Sequence, residues 1–363
     1  MAYTFAKVTL GYAEYLESLY SANPEMMQAS YDEQQQFIFR DGFGEADYMQ
    51  SHLESFGVEA FTIIANCTYL QEAWARERGL SLSLDEILTE QLRELNPTIL
   101  FIHNCYVHDD SFIEQIKAAV PSIALVIGWC GIGFTEEWAA RWTRFDAILT
   151  CNPAQLHDFE RVGIRTGLIN HGFEKNILDT VGEHASGESY DVLFTGSLIA
   201  SNGYHQGRIN LLTQLVRAGL PLTILSKPLP NRESFPEELL PHIKPPLYGM
   251  EMLAALGRAK IVFNSHLDAN RAYAGNFRLF EATGMGACLL TDAQRNIDQI
   301  FVPNKEIVTY AGVDECLEKA LYLLEHPAER KSIAQAGQKR TLSDYTYAHR
   351  ARSLHAYILD NIG

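Results

Sequence analysis

Residues 263–292 read FNSHLDANRAYAGNFRLFEATGMGACLLTD, and the reading of the fold starts from them. An apolar strand, AKIVFNSH (259–266), runs into a polar loop. An amphipathic helix follows, and a second apolar strand, ACLLTD (287–292), closes the unit. Strand, crossover helix and strand in this order make parallel neighbours, because parallel strands cannot be joined by a hairpin turn. Gly275-Asn276 marks the helix start, where an Asn side-chain oxygen can accept a first-turn N–H. Free N–H groups at a helix start suit an anion such as a pyrophosphate. Arg278 adds positive charge within the first turn. Glu281 lies one turn further on the same face, where a carboxylate can accept two hydrogen bonds from vicinal ribose hydroxyls. The same spacing also fits a plain i, i+3 ion pair on an exposed helix face. The small residues Ala282, Gly284, Gly286 and Ala287 let this helix pack closely on its sheet.

The pattern repeats outward from this unit. Upstream in the second half lie YDVLFTG (190–196) and LTILSK (222–227), and downstream EIVTYA (306–311). In the first half the strand-like runs are AKVTLG, EAFTIIAN, TILFIHN, ALVIGW, AILTC and TGLIN, separated by helical stretches. One of these, LDEILTEQLRELN (84–96), places Ile87, Leu88, Leu92 and Leu95 at helical spacing. Strands alternating with helices predict an α/β protein of doubly wound parallel sheets. The polar, Gly/Ser-rich DTVGEHASGES (179–189) reads as the linker between two domains, 1–180 and 190–345. The C-terminal residues predict two or three helices, the last of which (346–363) packs back on the first domain. Pro327 suits the first turn of the middle one. Two such halves imply an inter-domain cleft lined by the C-terminal edges of their strands.

Composition narrows the function. With 363 residues, 47% hydrophobic and 20% charged, the chain is long enough for two globular cores. A formal net charge of −16 argues against coating nucleic acid, which needs a cationic footprint. The six cysteines (Cys67, Cys105, Cys130, Cys151, Cys288, Cys316) form no C-x-x-C pair and read as buried free thiols of a reducing compartment. The N-terminus shows no signal-peptide pattern, and the most apolar window, SIALVIGWCGIGF, is shorter than the roughly 20 residues that cross a bilayer. A cytoplasmic location without a transmembrane segment is expected.

Taken together, residues 263–340 resemble a known family. The matching pattern is N-x-R-x-x-E (276–281), a Gly-rich helix end, an apolar strand, an acidic helix, and then HPAERKSIAQAG (326–337). This resembles the C-terminal donor domain of GT-B glycosyltransferases of the "glycosyl transferases group 1" type found in spore-maturation-protein-like enzymes. The resemblance covers roughly residues 190–350 well and the first half loosely. It implies that Glu281 holds the ribose of a nucleotide-sugar donor, with Asn276, Phe277 and Arg278 beside the diphosphate or donor sugar. YDVLFTGSL resembles the opening of the family's second domain and puts Gly196 and Ser197 near the donor. Arg208 and Lys227 are candidate phosphate-neutralising cations, each with an ordinary surface cation as its alternative. Many retaining members carry a second glutamate seven residues before the first, where this chain has Ala274.

On the acceptor side, FIHNCYVHDD (101–110) gathers His103, Asn104, His108, Asp109 and Asp110 at a strand's C-terminal end. His103 and Asp109 are candidate bases for the acceptor proton. Their alternatives are a satisfied core histidine and a cap for the helix starting at SFIEQIKAA. Gly11, His108 and Trp129 are candidate cleft residues, as is His171 in INHGF. The run SYDEQQQFIFRDGFGEADYMQSHLESFG (30–57) reads as an acceptor-shaping insertion or an extra helical pair.

No D-x-D triplet occurs, which fits a donor site that works without a metal or other cofactor, stabilising the leaving diphosphate by helix dipole and cations. VTLGYAEY lacks G-x-G-x-x-G, against a dinucleotide-dependent dehydrogenase. A binding protein without catalysis is usually exported, and no export signal is seen. An epimerase-like enzyme of the same fold and an inactive nucleotide-sugar-binding partner remain as alternatives to the expected reaction, sugar transfer to a hydroxyl of a glycan, lipid-linked or small-molecule acceptor.

Overall fold

The structure, a computed structural model, describes residues 3–184, 186–201, 203–227, 232–267 and 272–362. The chain divides into two compact units, Met1–Asn170 with Arg350–Gly363, and His171–His349.

The first unit is built on six parallel strands: β1 (Thr4–Thr9), β2 (Glu59–Ile64), β3 (Ile99–Ile102), β4 (Leu125–Trp129), β5 (Ala147–Thr150) and β6 (Thr166–Leu168). Their order is β2-β1-β3-β4-β5-β6. The central strands read as continuous apolar runs because helices cover both faces. On one face Phe5, Leu53, Phe101 and Leu149 pack with Ala351, Leu354 and Ile358 of the C-terminal helix. The helix Leu84–Leu95 opens on a capping box, Ser83 with Glu86, and buries Ile87, Leu88 and Leu92. Residues 30–57 form two helices, Tyr31–Asp41 and Tyr48–Glu54, joined by a tight loop with left-handed Gly42, Gly44 and Ala46.

The second unit holds β7 (Tyr190–Thr195), β8 (Leu222–Leu225), β9 (Ile243–Lys244), β10 (Ala259–Asn264), β11 (Cys288–Asp292) and β12 (Val308–Tyr310). Their order is β12-β11-β10-β7-β8-β9, again all parallel. Strand β9 has no counterpart among the predicted strands. It is two residues long, too short for any periodicity, and exists through its pairing with Ile224 and Leu225. Each sheet therefore reverses direction once, between β1 and β3 in the first unit and between β7 and β10 in the second. Ligands of such sheets bind beyond the strand C-termini at this reversal.

The division falls at Asn170/His171 rather than within 179–189. The segment 171–189 is tied into the second unit. Phe173 exchanges main-chain hydrogen bonds with Tyr345 (2.8 Å) and Tyr347 (3.1 Å), and Arg258 donates to the carbonyls of His184 (2.6 Å) and Glu188 (3.0 Å). Two glycines of the family-like pattern have steric reasons. A Cβ on Gly284 would lie 2.3 Å from the Phe173 ring, and one on Gly337 would lie 2.3 Å from the Glu306 carbonyl oxygen. The six cysteines are all buried free thiols. Among the described residues, no helix is long and apolar enough to cross a membrane.

Candidate functional site

In the second unit the reversal between β7 and β10 is braced by one side chain. Arg208, in the first turn of the helix Gln206–Arg217, donates through Nη1 to the Ser197 carbonyl (3.3 Å) and through Nη2 to the Ser265 carbonyl (2.5 Å). It thereby links the loops that follow the two strands, and it lies over the Phe194 ring. Gly196 donates its N–H to Leu225, and its missing side chain leaves room for Phe194, whose ring would be 3.1 Å from a Cβ. Lys227 follows β8 and is half-buried. Arg208, a candidate phosphate cation with an ordinary surface cation as its alternative, braces the backbone at this edge.

The helix Phe277–Gly284 starts where the sequence indicated, but Asn276 does not cap it with its side chain. The Asn276 amide instead pairs with Asn264 at the end of β10, donating Nδ2–H to its Oδ1 at 2.8 Å. Asn264 is buried and would otherwise need a partner, so the two amides satisfy each other and the first-turn N–H groups receive no oxygen from the Asn276 side chain. Arg278 and Glu281 do pair, Nη1 to Oε2 at 2.9 Å, but each side chain is only 13% exposed. This is not the exposed surface pair that the spacing alone allowed. Arg278 also donates to the Met252 sulfur at 3.5 Å, while its buried Nε has no acceptor. Burial pulls the guanidinium below its ordinary pKa, and Glu281 opposes that shift. His171 stacks on Phe277 with ring centroids 3.6 Å apart. Ala274 is fully buried, and its N–H and C=O are both clasped by the Asn296 amide at 2.7 and 2.9 Å.

In the first unit, neutral amides tie the loop after β1 to the loops after its two neighbours, β2 and β3. Asn66 exchanges two 2.8 Å hydrogen bonds with Gly11, and Asn104 accepts the Leu10 N–H at 2.9 Å. His103 stacks on Trp129, 4.8 Å apart and 9° from parallel, and its Nδ1 lies 3.1 Å from Glu45 Oε2. A side chain on Gly131 would strike the Trp129 ring at 2.4 Å, so the glycine makes room for it. The same Glu45 oxygen accepts from Lys7 Nζ at 2.8 Å. Lys7 is 1% exposed, in the middle of β1. An ammonium so buried requires a paired charge, and Glu45 supplies it. Phe43, beside Glu45 in its loop, stacks on Tyr15 at 4.2 Å and helps hold that loop on the sheet.

His108 and Asp109 sit apart from this cluster in their contacts. His108 packs on Phe112 at 4.0 Å, and burial lowers its pKa. Asp109 is the N-cap of the helix Asp110–Ala119, accepting from the N–H groups of Ser111 (3.1 Å) and Phe112 (3.2 Å). The Ser111 and Phe112 hydrogen bonds hold its carboxyl below the usual range, which makes it a weak base. The structure gives Asp109 the capping role.

The sequence reading missed Glu45, Lys7, His266 and Asp292. Lys7 carried a signal, a charged residue inside a strand apolar on both sides. Glu45 carried none, because its loop meets β1 only in three dimensions. Among the described residues, no three His, Cys, Asp or Glu side chains gather as a metal site.

Residues 208–356 match the family model described as glycosyl transferase-like. The whole fold is shared with solved structures. A glycosyltransferase from Rickettsia africae has a TM-score of 0.61 at 9% identity, over 99% of each chain. AviGT4, a glycosyltransferase involved in avilamycin A biosynthesis, has a TM-score of 0.60 at 15% identity, over 99% of this chain and 98% of the other. Residues 208–356 thus form a glycosyl transferase-like domain, and the fold of the whole chain is the GT-B fold. Anabaena HepE, solved in complex with UDP-glucose, aligns to this chain with a TM-score of 0.58 at 12% identity, over 99% of this chain and 100% of HepE. No curated protein matches the sequence. The family match takes in Arg208, Lys227, the Asn276–Glu281 helix and the HPAERKSIAQAG helix, but not Gly196, Ser197 or the acceptor-side residues.

Proposed function

We propose that this chain is a glycosyltransferase that moves a sugar from a nucleoside-diphosphate donor to a hydroxyl of a glycan, lipid-linked or small-molecule acceptor, with no metal or other cofactor. The observation that carries the reading is the buried Arg278–Glu281 pair at a helix start whose N-cap side chain is engaged elsewhere. A buried guanidinium facing one carboxylate and a thioether has N–H groups to spare, and a diphosphate supplies the acceptors. In this reading Arg278 and the first-turn N–H groups take the diphosphate and Glu281 takes the ribose hydroxyls. Phe277, steadied by His171, borders the sugar. Gly196 and Ser197 form the opposite loop with Lys227 nearby, and Arg208 holds that loop in place. Helix dipole and cations neutralise the leaving group.

On the acceptor side, Glu45 Oε2 lies 3.1 Å from His103 Nδ1, and His103 Nε2 is the end we assign to take a proton. The acceptor oxygen bonds to the sugar's anomeric carbon, the bond from that carbon to the diphosphate oxygen breaks, and the acceptor proton passes to His103. Trp129, stacked on His103, offers an apolar ring to a sugar, and Gly11 and His108 lie on the same unit's acceptor side. The six buried free thiols support a cytoplasmic location.

A thermal-shift screen against UDP, GDP, dTDP and CMP tests the donor reading, because a ligand that binds only the folded state raises the melting midpoint. UDP is tried first, since HepE is solved with UDP-glucose. At least one nucleotide is expected to stabilise the chain, and Glu281→Ala is expected to abolish that shift on top of a lower unliganded midpoint, because it leaves the buried Arg278 without its carboxylate. An unaltered nucleotide affinity in Glu281→Ala removes Glu281 from the donor site. Ala274 supports a second reading, a partner that binds nucleotide sugar without turning it over, because this buried position carries no carboxylate. Release of free nucleoside diphosphate from the donor distinguishes the two.

A further inference from the structure

Immediately after β10, on the edge where the second sheet reverses, His266 is held by Asp292 from the end of β11. The His266 main-chain N–H donates to both carboxylate oxygens of Asp292 (3.1 and 3.2 Å), and Nδ1 lies 2.7 Å from Oδ1. Burial raises the Asp292 carboxyl, but the hydrogen bonds from His266 outweigh it and hold the group below its ordinary pKa, so the carboxylate is ionised. An ionised carboxylate at Nδ1 fixes the ring's orientation, places a proton on that nitrogen, and leaves Nε2 as the end that meets something else. The His266 side chain is only 1% exposed, and its Nε2 has no hydrogen-bond partner among the described residues. Buried polar atoms in native proteins are paired, so an orphan this well oriented marks a place for a partner. The adjacent charges are Asp292 itself and Arg208, whose guanidinium grips the carbonyl of the preceding residue, Ser265.

We propose that His266 is a donor-binding residue that gives its Nε2–H to an anionic oxygen of the nucleoside diphosphate, with Asp292 as its positioning residue. This rests on the donor-site reading above. An anion is favoured because Arg208 grips the carbonyl of the neighbouring Ser265, placing a guanidinium beside this loop. The assignment adds a second side-chain contact to that of Arg278, on the loop after β10 rather than at the helix that follows it.

Calorimetric titration of the full chain with UDP, GDP and dTDP, and then with the corresponding monophosphates, tests it. For the diphosphate that the unaltered chain binds, His266→Gln is expected to weaken affinity about tenfold, and its effect on the monophosphate is expected to be about threefold or less. Asp292→Asn is expected to weaken diphosphate binding in the same direction by less. On the unaltered chain, saturating diphosphate is expected to shift the His266 Nε2 resonance in a nitrogen-15 spectrum, a readout that survives even if a variant fails to fold. Equal losses for mono- and diphosphate, unchanged affinity in His266→Gln, or an unmoved Nε2 resonance each overturn the proposal while leaving the donor reading intact. If the unaltered chain binds none of the three diphosphates, the donor reading itself fails and this assignment fails with it.

Discussion

In the first unit the strand order reverses between β1 and β3, and neutral amides tie the loop after β1 to its neighbours, Asn66 after β2 on Gly11 and Asn104 after β3 on Leu10. In the second it reverses between β7 and β10, and the edge is braced by a guanidinium, Arg208, on two carbonyls. The charged groups are distributed differently too. The first unit places an ammonium, a carboxylate and an imidazole in one contact, Lys7–Glu45–His103, with two of the three on the sheet and the third on a loop 38 positions from Lys7. The second keeps its charges in local pairs, Arg278 with Glu281 three residues on, and His266 with Asp292 on the next strand. One topology thus carries a site assembled at long range in one half and a site assembled within a single βαβ unit in the other.

The long-range cluster should be the more sensitive to loss of one member. Replacing Lys7 with Met leaves Glu45 in a mostly buried site without its ammonium, and breaking a buried pair costs about 3–5 kcal/mol. Urea unfolding of Lys7→Met should show a loss of that size, and the double variant Lys7→Met with Glu45→Gln should recover much of it, because no uncompensated charge then remains. If the double variant is as unstable as the single one, Lys7 stabilises by packing its stem and the ionic account is wrong. The braces give the next effect. Arg208→Met should cost about 2 kcal/mol, since hydrogen bonds from a charged donor are stronger, and Asn104→Ala about 1 kcal/mol. Hydrogen exchange should accelerate around Gly196 and Ser265 in the first variant and around Leu10 in the second. Equal losses would mean that the two edges are braced alike after all.

This difference also decides what was legible in the sequence. The strands, β9 excepted, and their parallel doubly wound class followed from apolar runs alternating with amphipathic helices, and Ile87, Leu88 and Leu92 sit buried as their spacing indicates. The Arg278–Glu281 contact was legible because helical spacing fixes it, although its burial depends on Met252 and the neighbouring elements. The pairing of Asn276 with Asn264 was not, since a capping signal describes only the helix and Asn264 competes from the sheet. Asp109 shows the reverse case, a local cap whose signal was real. Glu45 lay in a run read only as an insertion or a helical pair, and no periodicity marks a residue whose partners are Lys7 and His103. The segment 179–189 reads as a linker by composition, yet Arg258 pins its carbonyls from far along the chain.

The smallest expected effect separates the units by pH. Burial lowers the pKa of His108, against the opposing pull of Asp85 and Asp109, and burial followed by the nearby Arg208 lowers that of His205 in the second unit. For a histidine whose folded pKa is depressed, the neutral ring belongs to the folded state. Above the unfolded value of about 6.5 neither state binds the proton and the full contribution is present. As the pH falls below that value, the unfolded chain takes up the proton while the folded chain resists, so stability declines until the folded pKa is passed. His108→Gln should therefore flatten the fall of the urea midpoint between pH 7 and 5, and His205→Gln should do the same through the second unit. Hydrogen exchange read separately over residues 99–120 and 190–217 would assign each slope to its unit. The Asp109 cap, whose carboxyl is lowered by Ser111 and Phe112, contributes above the carboxylate range and is lost only at more acid pH, so it leaves this window untouched. If His108→Gln keeps the full slope while His205→Gln removes it, acid sensitivity lies in the second unit alone, and the burial of His108 against Phe112 does not set its protonation.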